Sequence, residues 1–154
     1  MGKYVKTFEN FINDGKQIGD YFLTNTDYKK LIDEGYGPDE DEIDNYLNTL
    51  NNYYNNGGKI RRIIFSSKVN KNLGHHWTHM NNDIDNYIQD LFDFLHDEGK
   101  VTDNPPITII EAITPPHNVG VKYSLEQYQN NPWEEEIYIK NSKLLKEVKI
   151  RKIK

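Results

Sequence analysis

The chain contains no cysteine, which excludes a disulfide framework, a thiolate zinc site and a cysteine nucleophile, and with them thiol and redox chemistry. Long apolar runs are missing as well: nothing approaches the ~20 residues of a membrane helix, and the N-terminus lacks the basic start and apolar stretch of a signal peptide. A soluble protein outside the secretory route, with no membrane partner, is the expectation. Neither G-x-G-x-x-G nor G-x-x-x-x-G-K-[ST] occurs, so Rossmann-type dinucleotide binding and P-loop hydrolysis are not expected. Positive charge is in deficit, 19 Lys and Arg against 24 Asp and Glu, and a net charge of −5 argues against general binding to nucleic acid phosphates. Alanine occurs once, at Ala112, beside 19 asparagines; such a bias follows from base composition more readily than from mechanism.

What is present suits one domain spanning 1–154, because ~100 to 200 residues close a single core. Hydrophobic residues make up 36%, below the usual ~45 to 50%, but 12% aromatics supply large buried areas and oppose disorder. Basic residues concentrate only at the end, where Lys143, Lys146, Lys149, Arg151, Lys152 and Lys154 face a single Glu147. A solvated strand face explains this run; a site for an acidic partner is the alternative.

Tyr4 to Ile12 reads as an amphipathic opening, followed by a glycine-interrupted stretch to Thr24. Thr26 is placed to cap a short helix with Tyr28, Leu31 and Ile32 on one face, and Gly35 to end it. Pro38 suits the first position of a second helix, Asp39 to Glu42 lie at its positive end, and Ile43, Tyr46, Leu47, Leu50 and Tyr54 keep the helical period. Asn55 to Gly58 reads as a turn and Ile60 to Phe65 as a buried strand. A third helix is expected from about Asn82, with Ile84, Tyr87, Ile88, Leu91, Phe94 and Leu95 on one side and Gly99 as its stop. Strands are expected at 107–113, 136–140 and 147–153, with a single capped turn over Ser124 to Tyr128. The fold class is therefore α+β, a helical part over 1–56 followed by a β-rich core over 57–154.

Three places concentrate reactive groups. Arg61 and Arg62 lie in one strand and must face opposite ways, so at most one enters a given cleft; a guanidinium there fits a phosphate or carboxylate, or pairs with Glu111. His75, His76 and His79 suggest zinc, but an extended Trp77-Thr78 would turn them apart, and no metal is expected. Glu134, Glu135 and Glu136 open an apolar strand. Their mutual repulsion requires a raised pKa or a cationic neighbour for at least one, and alternation puts Glu134 and Glu136 on one face.

In that order, a strand arginine, an aromatic-hydroxyl pair before a helix and E-x-E opening a late strand, the chain resembles mono-ADP-ribosyltransferases of the arginine, serine, glutamate type. The phrase Gly58-Lys59-Ile60-Arg61-Arg62-Ile63 is similar to their strand arginine, and Leu73-Gly74-His75-His76-Trp77-Thr78 to a variant of their serine-threonine-serine strand. Ile109 to Ile113 resembles their central strand, and Tyr123 to Ile137 the loop leading into E-x-E-I. The resemblance implies a split-sheet core and NAD as the cofactor consumed. It implies that Glu136 holds the ribose and stabilises positive charge, Glu134 orients or deprotonates an acceptor, and Thr78 orients Glu136. Arg62 would hold the phosphates, with Arg61 in its place if the register slips, and Trp77 and His76 would pack near the nicotinamide. His76 stands where the family has its first serine.

The acceptor implied is an arginine of a host protein, and the opening at Tyr4 to Ile12 resembles tailed-phage proteins, which implies action in the host cytoplasm or carriage in a virion. The other class is a non-enzymatic phage protein, virion-associated or inhibiting a host defence protein. His76-Trp77-Thr78 also matches H-x-T, half of the signature of two-histidine phosphodiesterases, but no second H-x-[ST] occurs.

Overall fold

Gly19 and Asp20 turn the chain between β1 (Gly15–Ile18) and β2 (Tyr21–Thr24), an antiparallel hairpin whose register brings Ile18 opposite Tyr21. The computed structural model describes residues 15–32, 38–81 and 83–153; the opening at Tyr4 to Ile12, the stop at Gly35 and the helix start at Asn82 lie outside them. The part expected to be helical over 1–56 thus also holds a strand pair, in the glycine-interrupted stretch before Thr24. A Gly-Asp pair with Gly19 at φ 57° is a two-residue hairpin loop, and it places Ile18 and Leu23 on the buried side.

Helix α1 (Asn25–Ile32) is capped by Thr24 and not by Thr26: the Thr24 hydroxyl accepts the Asp27 N–H at 3.1 Å, and the Asp27 carboxylate accepts the Thr24 N–H at 3.2 Å. The reciprocal bond decides between two threonines that the sequence offers equally. Likewise Asp39, not Pro38, begins α2 (Glu40–Asn56), through a capping box in which its carboxylate accepts the Glu42 N–H at 2.9 Å. Pro38 stands one residue outside the cap, and Asn55 and Asn56 stay helical until Gly57. Ile43, Tyr46, Leu47 and Leu50 form the buried stripe of α2.

The remaining elements are β3 (Gly58–Ile64), β4 (His76–His79), α3 (Ile84–Asp97), β5 (Thr108–Thr114), α4 (Val121–Asn130), β6 (Glu136–Tyr138) and β7 (Lys146–Lys152). Helix α3 ends where Gly99 takes φ 71° and the Lys100 N–H returns to the Leu95 carbonyl at 2.8 Å. Ser124 lies inside α4, which runs ten residues where one capped turn was expected. Its hydroxyl donates to the Gly120 carbonyl at 2.8 Å and accepts the Tyr138 N–H at 2.9 Å, tying α4 to β6.

The five strands β6-β4-β3-β5-β7 form one antiparallel sheet. Its central strand is β3, with β5 one place outward, which corrects the expectation for 109–113. One face, carrying Ile60, Trp77, Ile110, Ala112 and Ile137, packs with α1, α2, α4 and the hairpin into a single hydrophobic cluster. Each such aliphatic side chain contributes ~1.5 to 3 kcal/mol of burial. On the other face Ile63 and Ile109 are buried and α3 lies alongside, with Phe92 edge-on to Phe65 at 6.0 Å. The architecture is α+β. Edge strand β7 is exposed along its length, and its basic residues stand on solvated faces. No helix among the described residues is long and apolar enough to cross a membrane.

Candidate functional site

Pairing across the sheet lines up a polar row. Glu136 lies opposite Thr78, Thr78 opposite Arg61, Arg61 opposite Glu111, and Glu111 opposite Lys149. Within it Arg61 is bound to Glu111, Nε to Oε2 at 3.7 Å, and Arg151 reaches the same oxygen at 3.8 Å. The structure thus assigns Arg61 to the ion pair and leaves Arg62 to the cleft.

Strands β3 and β4 are registered only at Ile60 with His79 and Arg61 with Thr78. Beyond that point no cross-strand pair joins them, and the side chain of Arg62 occupies the opening. Alternation starts Arg62 on the core face beside Ile60, yet its Nη1 donates to the Leu73 carbonyl at 2.8 Å and it lines cavities of about 280 Å³ and about 250 Å³. Gly74 makes room for it: a Cβ there would lie 2.1 Å from Arg62 Nη1. Burial pushes the guanidinium pKa down, and nearby Glu136 opposes that.

The cavity of about 280 Å³ is walled by Arg62, His76, Tyr87, Glu134 and Glu136, with apolar sides from Ile63, Leu91 and Leu95. Glu136 is buried, and its Oε2 is 2.5 Å from His76 Nδ1. That hydrogen bond raises the imidazole pKa above its ordinary 6.5, against the effect of burial. From behind, the fully buried Tyr46 hydroxyl donates to the Glu136 carbonyl at 2.5 Å and to the Ser124 carbonyl at 3.1 Å. Glu134 accepts Gln127 Nε2 at 3.1 Å, and burial pushes its carboxyl above the ordinary 4.5, with Glu136 adding to the shift. A carboxyl raised in this way is a better proton acceptor near neutrality than an ordinary glutamate.

The triplet of glutamates is separated by backbone geometry. Pro132–Glu134 is a 3-10 turn, Glu135 sits in the left-handed region at φ 45°, and β6 begins only at Glu136. Glu134 and Glu136 therefore share the cleft without being strand neighbours, whereas Glu135 turns away and accepts His79 Nε2 at 2.8 Å. Each carboxylate has found either a raised pKa or an imidazole, as like-charge repulsion requires.

The chain matches no family model, no curated protein and no solved structure. The site accordingly rests on its own geometry.

Thr78 and Trp77 stand elsewhere than expected. The Thr78 hydroxyl, fully buried, donates to the backbone carbonyls of Glu134 at 3.0 Å and Glu135 at 3.3 Å, so it braces the turn; the group found on the Glu136 carboxylate is His76. Trp77 points from β4 into the hydrophobic cluster, opposite Ile137, and its Nε1 donates to the Gly74 carbonyl at 3.0 Å. Strand alternation is the reason: with His76 on the cleft side, Trp77 must take the core side. The histidines take three different partners, His75 the Ile139 carbonyl, His76 Glu136 and His79 Glu135. Two residues were missed. Tyr87, which lines the cleft, and Tyr46, whose hydroxyl meets a distant strand, are legible in the sequence only as apolar positions of their helices.

Proposed function

We propose that the cleft between β3 and β4 binds the nicotinamide-ribose half of NAD⁺ and serves mono-ADP-ribosyl transfer to a host protein, with an arginine as the acceptor implied by the resemblance. One observation carries this: Arg62, His76, Glu134 and Glu136, from three separate segments, line a single cavity. At about 280 Å³ it is near the lower end of small-molecule sites, ~300 to 1,000 Å³, and suits half of a dinucleotide. The unregistered end of β3 against β4 supports the split-sheet core expected from the same resemblance.

In this reading Glu136 stabilises the positive charge that develops on the ribose as its bond to nicotinamide lengthens, as carboxylates do in glycoside chemistry. His76 holds that carboxylate in place, the task expected of Thr78. Glu134 takes the proton of the acceptor, and Arg62 faces the phosphates with its free N–H groups. The test is incubation with labelled NAD⁺ and host lysate. Protein should be labelled, Glu136→Gln should abolish the label, and NAD⁺ should raise the melting temperature of the wild type by mass action. A wild type that neither labels protein nor hydrolyses NAD⁺ would sink the enzyme reading.

One observation favours a second reading. The Glu136 carboxylate is already engaged by an imidazole, which suits a structural role for it and hence the reading as a non-enzymatic phage protein that holds a host defence protein or belongs to a virion. That reading expects a stoichiometric partner whose binding is unchanged by Glu136→Gln. A two-histidine phosphodiesterase has little support, since His76 is the one histidine lining the cleft.

A further inference from the structure

Strand β7 ends the five-stranded sheet and pairs with β5 alone among the described residues. Just beyond it the Ile153 N–H donates to the Ile107 carbonyl at 3.0 Å, and along β7 Arg151 lies opposite Ile109 and Lys149 opposite Glu111. Hydrogen bonding alternates along an antiparallel pair, so Arg151 and Lys149 direct their backbone N–H and C=O groups at β5, while Ile150 and Lys152 direct theirs outward. No strand among the described residues lies on that outer side.

The side chains of this edge are a second, independent observation. Leu144, Val148, Ile150 and Ile153 are each at least 40% exposed, and among the described residues the only other large apolar side chains so exposed are Phe22 and Tyr123. Val148 and Ile150 share one face of β7 by alternation, and Ile110 lies beside Ile150 on β5. Exposed apolar side chains gathered on one strand, rather than scattered, mark a contact surface. Lys146, Lys149, Arg151 and Lys152 stand among them with a single acid in the strand, Glu147, on a chain whose net charge is −5.

Charge selects the occupant. A second copy would bring β7 against β7, and antiparallel pairing centred on Lys149 would set that lysine opposite itself and Lys146 opposite Lys152. Like charges directly opposite are destabilising, and lysines with a bulge, here at the left-handed Glu147 (φ 51°), are how a sheet edge refuses its own copy. A nucleic acid would answer the basic side chains but neither the outward backbone groups nor Val148 and Ile150, and the net charge of the chain repels it. An extended acidic segment answers all three: its backbone closes the ladder, its carboxylates meet the lysines, and its apolar side chains cover Val148 and Ile150. We infer that β7 is a docking edge for an acidic, extended segment of a partner protein, which adds to the sheet as a further strand. The inference is independent of the NAD⁺ reading, since it requires nothing of Arg62, His76 or Glu136.

The test is heteronuclear NMR of the full chain titrated with blocked octapeptides: one alternating glutamate with valine, one alternating lysine with valine, and a fully N-methylated form of the first, which keeps its charge but cannot donate to a ladder. A duplex oligonucleotide serves as the anionic polymer. The acidic peptide should bind saturably, shift the amides of Ile150 and Lys152 and protect them from hydrogen exchange, while those of His76 and Glu136 stay still. N-methylation should weaken binding about tenfold or more. The lysine peptide should not bind, and the duplex should bind more weakly than the acidic peptide. Lys149→Glu with Lys152→Glu leaves the backbone edge in place and should weaken the acidic peptide about tenfold or more. The inference is overturned if the acidic peptide does not bind saturably, or if the double variant binds it as well as the parent does. It is equally overturned if the N-methylated peptide or the duplex binds as tightly, which would reduce the contact to charge, or if self-association of the chain already protects Ile150 and Lys152.

Discussion

Replacing Tyr46 by phenylalanine removes one hydroxyl and keeps the ring stacked on Tyr128 at 4.0 Å. That hydroxyl donates to the Glu136 carbonyl at 2.5 Å from a position 1% exposed, so water cannot take its place. Loss of a hydrogen bond that leaves a buried carbonyl unsatisfied costs about 1 to 3 kcal/mol. A mid-range loss of about 2 kcal/mol corresponds to a fall in Tm of roughly 4 to 8 °C for a chain of this size. Urea titration followed by circular dichroism should show a lower midpoint with an unchanged m-value, since the apolar surface buried is the same. Tyr53→Phe is the matched control: its hydroxyl also donates at 2.5 Å, to the Lys59 carbonyl, but in an exposed setting. There water replaces the bond, and the cost should stay below about 1 kcal/mol. Tyr46→Ala adds a cavity and should cost about 3 to 5 kcal/mol. If Tyr46→Phe is within about 0.5 kcal/mol of the parent, the hydroxyl does not hold the floor of the cleft and the reasoning fails.

Two other outcomes are expected. The His76 imidazole, raised above 6.5 chiefly by its bond to Glu136, contributes stability that is complete below 6.5 and is lost as pH rises through the raised value; Glu136→Gln should bring its NMR titration midpoint back towards 6.5, and an unmoved midpoint would contradict the pairing. Gly74→Ala should cost about 1 to 3 kcal/mol in urea titration, because φ 82° disfavours a Cβ and that Cβ would strike Arg62. Gly99→Ala, at φ 71° with nothing within 4 Å, should cost only the backbone share, about 1 kcal/mol, and equal costs at the two glycines would show that Arg62 yields freely.

Much of the candidate site could be read along the chain, and the remainder could not, for identifiable reasons. That Arg61 and Arg62 face apart follows from strand alternation, and the separation of Glu135 from its neighbours was expected from the same rule. The latter arises differently: Glu134 lies in a 3-10 turn and Glu135 is left-handed, so the outcome matched while the cause did not. Thr78 and Trp77 were given cleft roles because a resemblance in order says nothing of which face a strand presents. The hairpin at 15–24 carries a local signal of its own, Gly19-Asp20 between two four-residue strands.

Contacts within four residues were enough for the caps, periods and stops: the acidic start and apolar stripe of α2, the stripe of α3 and its end at Gly99, and the strand character of β3, β5 and β7. Each depends on groups that the chain itself keeps adjacent. Register in the five-stranded sheet depends on partners 17 to 62 residues away, and no local preference encodes it. Only the folded sheet decided that Glu136 meets Thr78 and Arg61 meets Glu111, that β3 and β4 lose their pairing beyond Arg61, and that Arg62, His76 and Glu136 therefore face one another. The same packing brought the hydroxyl of a helix residue, Tyr46, under a strand 90 positions on.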